Sequence, residues 1–392
     1  MAGGAARAEP LAAAATLSRR LAAFYAAVFG TLGVQLPFLP VWLAAKGLDT
    51  ALIGMVLGVP MAVRVFAIPL AARQADRNNA LRAILVMAAT STVLAYAVLA
   101  LTDGALAIAV AFALVALCSS PLMPLADAYA LRGLRSGDYG PVRLWGSAAF
   151  IVGSLGAGLV LDVIEPRNLI WLIVAASVLT AAAAVTLSPL SADTGKPRAS
   201  SGGAAALLRD PAFLALCLAA SLIQASHAVY YAFSALQWQA AGLGGGSIGL
   251  LWALGVVAEI VLFALSWRLS LGPSTWLIAG AAGAATRWCM MALDPPALAL
   301  PLLQCLHGLS FGATHLGTFS FIARHAPAQA VATAQGSVSV VSGLGMAAFM
   351  SIAGGLYAHS AALAYAVMAL ASVLGAACVW AAQALADRHA GR

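Results

Sequence analysis

The stretch SIGLLWALGVVAEIVLFALSW, residues 247–267, decides how this chain is read. A helix crosses the hydrocarbon core of a bilayer in about 20 residues, and this run is of that length, with one charged residue, Glu259, near its middle. An Asp, Lys or Arg at the centre of a membrane helix costs about 2.5–3.5 kcal/mol on insertion scales. Two later apolar runs repeat the pattern, with Arg287 inside 274–293 and His307 inside 297–323. Ionisable groups persist in such places when they pair within a helix bundle or line a wet path for an ion or substrate.

Outward from that run the chain keeps the same character. Of its 392 residues 63% are hydrophobic and 8% charged, against about 25% charged in soluble domains, so it cannot coat a water-soluble surface. Twelve apolar runs follow one another, at about 19–45, 51–72, 81–101, 105–131, 143–162, 168–188, 212–240, 247–267, 274–293, 297–323, 330–358 and 361–385. They are apolar all round, which predicts helices; barrel strands would alternate polar and apolar over about 10 residues. The expected class is an all-α integral membrane protein of twelve transmembrane helices.

The net charge of +7 predicts orientation and not a nucleic-acid partner. With both termini placed inside, 16 of the 20 basic residues fall on the cytoplasmic side, as the positive-inside rule expects. The N-terminal arginines precede a full-length span with no convincing cleavage site, so the start reads as a cytoplasmic tail. Cys118, Cys217, Cys289, Cys305 and Cys378 are scattered within runs, without disulfide or metal-ligand spacing. No metal or other cofactor is expected.

The longest polar interruption, PLSADTGKPRASSGGAAALLRD at 189–210, has the composition of a flexible linker. It divides the chain into six-helix halves, 1–188 and 211–392. GSAAFIVGSLGAG (146–158) and GSVSVVSGLGMAAFMSIAGG (336–355) are small-residue segments of the fifth helix in each half, as close helix contact requires. Two such halves rocking about a midplane site form a common secondary-transporter design.

Several residues carry chemistry in this reading. Glu259 can take and release a proton if its neighbours change, because burial and nearby cations push a carboxyl in opposite directions. Arg287 is the candidate cation, and His307 a relay or donor; a static buried ion pair with a bonded histidine is the alternative. Asp127 near the end of the fourth helix and Arg143 at the start of the fifth are joined by a short loop and could meet, or simply anchor that loop. Arg64 could bind an anion, pair with Asp127, or snorkel to the membrane face. Gln224, His227, Tyr231 and Trp238 recur at helical spacing along one face, suited to a ring-bearing substrate or to plain packing. Tyr25 and Phe29 make a weaker case of the same kind. Trp145 and His315 complete the substrate-binding candidates. Gly308-Leu309-Ser310-Phe311-Gly312 matches a hydrolase pattern, but that pattern needs a strand-to-helix turn and lies here in an apolar run. No phosphate loop of the G-x-x-x-x-G-K-[ST] kind occurs.

The segments 121–154 (PLMPLADAYALRGLRSGDYGPVRLWGSAAFIVGS), 227–242 (HAVYYAFSALQWQAAG), 250–266 (LLWALGVVAEIVLFALS) and 302–317 (LLQCLHGLSFGATHLG) resemble the phenylpropionic acid transporters of the major facilitator superfamily, in order and over nearly the whole chain. More distantly the chain is similar to lactose permease-like oligosaccharide and nucleoside proton symporters. The resemblance implies the major facilitator fold and proton-coupled uptake of a small molecule such as 3-phenylpropionate, through the lipid bilayer of a bacterial inner membrane; the chain is expected to act as a monomer, although the sequence does not fix the oligomeric state. It implies that Glu259, Arg287 and His307 couple protons and that Asp127 and Arg143 hold substrate. Two positions depart from the pattern. Ser310 stands where the sugar symporters carry a glutamate three residues after the histidine. In the loop after the second helix Asp76 and Arg77 remain, but Ala72 and Asn79 replace glycines.

Overall fold

The computed structural model describes residues 2–134, 137–189, 207–327 and 330–390, and among these it is helical with no strand. Eleven helical spans are long and apolar enough to cross a membrane. A twelfth of spanning length, Pro273–Ala292, is the one that carries Arg287. The expected linker lies mostly outside the described residues, at 190–206.

Three spans are interrupted, each where the sequence weakens the helix. The fourth is made of Ala105–Ser119 and Leu122–Gly133, with Pro121 at the joint, where a missing N–H and ring clash end the first piece. The seventh is Pro211–Ala225 and Ala228–Ala240. At its break Ser226 Oγ donates to the Ile223 carbonyl at 2.6 Å, and the His227 amide reaches back three residues, to Gln224. The tenth runs through Leu300–Cys305, a π segment Gly308–Ala313 and Thr314–His325. A π turn widens the helix and re-aims the side chains that follow it.

Two compact units divide the chain. The first holds Met1–Leu48, Val63–Thr194 and Trp238–Leu250, and the second Asp49–Ala62, Gly195–Gln237 and Leu251–Arg392. Tyr25, Leu85, Ala126 and Tyr129 are buried in the core of the first, and Leu216, Cys217, Leu277 and Phe321 in that of the second. Compared with a cut at 189–210, two short pieces are exchanged, 49–62 and 238–250. Backbone proximity explains both. In the first unit a Cβ on Gly158 would collide with the Gly245 carbonyl, Ser154 Oγ donates to Gly249 O at 3.1 Å, and the Asp162 carboxylate takes the Gly245 and Gly246 amides at 2.6 and 3.0 Å. In the second, Gly54 lies directly against the backbone of Met350 and Gly354. Without lipid-driven hydrophobic force between helices, such small-residue seams let dispersion and polar contacts hold spans together.

Gly158→Val should therefore cost about 1–3 kcal/mol, the usual penalty of overpacking, and lower the melting temperature of the purified protein in detergent. Gly156→Val is the control, since nothing lies within 4 Å of its Cβ direction. Equal melting temperatures for the two variants would show that the close approach does not matter.

Candidate functional site

In the first unit the break in the fourth span turns Asp127 toward the start of the fifth. Tyr139 and Arg143 stand four residues apart on the helix Tyr139–Leu161 and so share a face. Tyr25 Oη donates to Asp127 Oδ1 at 2.6 Å, Tyr139 Oη donates to the same oxygen at 2.9 Å, and Arg143 NH1 stands 3.5 Å from it. The Arg143 side chain is 36% exposed, and its buried NH1 makes no hydrogen bond. Its guanidinium lies over the rings of Tyr25 and Phe29, 5.4 and 5.1 Å from their centroids, and Gly146 leaves the room that Phe29 occupies. The arrangement is a partly open cation on an aromatic shelf, steadied by one carboxylate oxygen.

Asp127 has Arg143 as its near cation, and Arg64 lies on the second span. Trp145, another expected substrate-binding residue, lies two residues after Arg143 on the same helix. It is 62% exposed and, with Val152 and Leu159 at seven-residue spacing, forms an exposed apolar stripe. Trp238 is buried, in the piece of the seventh span that belongs to the first unit.

The second unit gathers the three mid-span groups. Arg287 is completely buried. Its NH1 lies 3.0 Å from His307 Nδ1, its NH2 donates to Gln304 Oε1 at 2.5 Å, and its guanidinium packs 4.2 and 4.8 Å from the rings of Tyr230 and Trp288. His307 Nε2 lies 2.9 Å from Glu259 Oε1. A guanidinium only donates, so His307 Nδ1 accepts and its proton sits on Nε2, donated to Glu259. The imidazole is inserted between acid and guanidinium, where spacing alone suggested a direct pair.

His227 occupies the break in the seventh span. Its Nδ1 faces the carbonyls of Ile223 and Gln224 at 3.2 and 3.1 Å, and its Nε2 lies 3.0 Å from Ser310 Oγ. Carbonyls only accept, so Nδ1 carries the proton and the serine hydroxyl donates to Nε2. Ser310 is fully buried on the π segment. Its histidine partner is His227. Tyr231 stacks on His227 at 5.6 Å, whereas Gln224 contributes its backbone carbonyl. His315 is exposed, two turns beyond His307, between Phe311 and Phe319.

Several members of this cluster escaped the sequence reading: Tyr230, Trp288, Gln304, and Tyr139 in the first unit. Gln304 alone left a signal, as an amide three residues before His307 in an otherwise apolar run.

Comparison with known proteins places the chain among transporters. The family model described as MFS_1 like family matches residues 18–367. The chain is 34% identical over 367 residues to the "Probable 3-phenylpropionic acid transporter" of Escherichia coli (strain K12), covering 91% of this chain and 95% of that one. It is 29% identical over 341 residues to the "Maltose permease" of Geobacillus stearothermophilus, covering 85% of each. Among solved structures, the nucleoside transporter NupG superimposes with a TM-score of 0.80 at 16% identity, over 94% of this chain and 98% of that one. A bacterial homolog of the human lysosomal transporter Spinster does so at 0.64 and 15% identity, over 94% and 95%. At such identities the likeness to solved structures speaks for the fold alone.

Arg287→Met should cost about 3–5 kcal/mol, since it leaves a buried acid without its countercharge, and should lower the melting temperature in detergent. Adding Glu259→Gln to that variant should recover part of the loss. A double variant no more stable than Arg287→Met would show that the two charges are not coupled.

Proposed function

We propose, from the premise that the chain belongs to the MFS_1 like family and is a transporter of that type, that it imports a small aromatic carboxylate together with a proton. The observation that carries this reading is the division of labour between two arginines. Arg287 is wholly buried, with both terminal nitrogens committed to His307 and Gln304. Arg143 is partly open and lies over two aromatic rings. The substrate carboxylate goes to Arg143, where charge-assisted hydrogen bonds are strong, and its ring packs beside Phe29, which is half-buried. The name of the Escherichia coli relative supports 3-phenylpropionate as the first compound to test.

The proton is assigned to Glu259, the carboxyl of the second-unit cluster. Its protonation would remove one buried negative charge, lowering the cost of a conformational change in a medium that tolerates charge poorly. One anion with one proton moves no net charge, so the pH gradient and not the voltage would drive accumulation. The expected setting is the bacterial inner membrane, with a monomer whose termini are both cytoplasmic.

Protein reconstituted in liposomes, given an imposed pH gradient and radiolabelled 3-phenylpropionate, tests this. Glu259→Gln should abolish accumulation while keeping substrate exchange at equal pH. Arg143→Gln should raise the KM roughly ten- to hundredfold, from about 1.5–3 kcal/mol lost with a hydrogen bond to a charged group. Uptake indifferent to the gradient would remove the proton. Competition by maltose or uridine, with none by 3-phenylpropionate, would turn the reading to a sugar or nucleoside symporter, the direction in which the maltose permease relative points.

A further inference from the structure

We infer that Gln304 is a positioning residue: by fixing Arg287 it holds His307 as a neutral imidazole protonated on Nε2, and so leaves Glu259 to take the transported proton. The transport consequence rests on the proton-coupled reading above; the assignment of His307 does not.

Gln304 is fully buried, three residues before His307, where the helix Leu300–Cys305 ends ahead of the π segment. Its Oε1 accepts from Arg287 NH2. The amide has one admissible orientation, because turning Nε2 to the guanidinium would set donor against donor. Among the described residues Nε2 has no hydrogen-bond partner, so the acceptor end is what the site uses. Arg287 is thereby held at one terminal nitrogen and directs the other at His307 Nδ1. Arginine keeps its protons. Nδ1 is therefore occupied as an acceptor, Nε2 already bears hydrogen toward Glu259, and the ring has nowhere to place a second proton until Arg287 leaves.

The other titratable groups around this triad do not share the task. From the seventh span, His227 has Nδ1 on two carbonyls and Nε2 on Ser310. Tyr230 and Tyr231 face inward from the same span, and Tyr365 from the twelfth stacks on Trp288; phenols titrate near pH 10. His315, farther along the tenth span, is exposed and lies beyond Phe311 from His307. Without the Gln304 acceptor, Arg287 is free to swing from Nδ1, and the ring then becomes an ordinary titrating histidine.

Full-length protein in liposomes, labelled with nitrogen-15 histidine, reports this directly, with His307 assigned by the signal missing from His307→Gln. The expected wild-type pattern is one protonated and one unprotonated ring nitrogen, unchanged across about pH 5–8, where a free histidine titrates. Gln304→Leu should lose that pattern, its His307 gaining a second proton as pH falls. Gln304→Glu, which still accepts from Arg287, should restore it. In uptake, Gln304→Leu should change the shape of the pH profile, whereas a merely structural role would lower the rate alike at every pH. A wild-type His307 that protonates within the window overturns the inference, whether or not the variants fold. So does a Leu variant with the wild-type pattern. If wild-type uptake ignores a pH gradient, the symport reading fails, while the nitrogen signals still decide whether His307 is locked.

Discussion

A guanidinium that cannot lose its charge, sealed inside a bundle of membrane helices, is the constraint on which the second unit is built. Arg287 has no exposed surface, and an arginine at the centre of a membrane helix is unfavourable by about 2.5–3.5 kcal/mol on insertion scales. Acceptors and π faces must come to it. Gln304 and His307 supply the acceptors and Tyr230 and Trp288 the faces. Each such ring contact is worth about 0.5–2 kcal/mol when desolvated. Glu259 balances the charge at one remove, through the imidazole. The irregular backbone serves the same end. The break at Ser226–His227 and the π segment Gly308–Ala313 lie where regular helices would aim side chains elsewhere.

The first unit solves a different problem with related parts. Arg143 has a single loose carboxylate neighbour, two ring faces and partial exposure. Asp127 is held by two phenolic hydroxyls on one oxygen, which keeps it from closing a bidentate pair with the arginine. One cation is sealed in the bundle with both terminal nitrogens bonded, and the other is partly exposed, which is the arrangement expected when one group manages charge inside the protein and another meets a ligand.

Ser310 shows how a departure in sequence is absorbed. Where the sugar symporters carry a glutamate, a serine hydroxyl here donates to His227 and closes a local network with the carbonyls of Ile223 and Gln224. Two histidines stand 5.5 Å apart with opposite tautomers, each dictated by a neighbour that can only donate or only accept.

The class of protein, the number of spans and the identity of the costly mid-span groups were legible in the sequence, because hydropathy is a local sum and a lone charge in 20 apolar residues stands out by itself. Asp127 with Arg143 was legible too, since a short loop brings them within reach. Other features were not. The side on which Trp145 lies relative to Arg143 was not legible, because neighbours on a helix point about 100° apart each step and nothing local says which side is inside. The insertion of His307 between Glu259 and Arg287, the part of Gln304, the His227–Ser310 contact and the exchange of 49–62 and 238–250 between units depend on how three interrupted helices are rotated. That rotation is decided by packing against other spans, at separations of tens to hundreds of residues, which no run of the chain encodes alone.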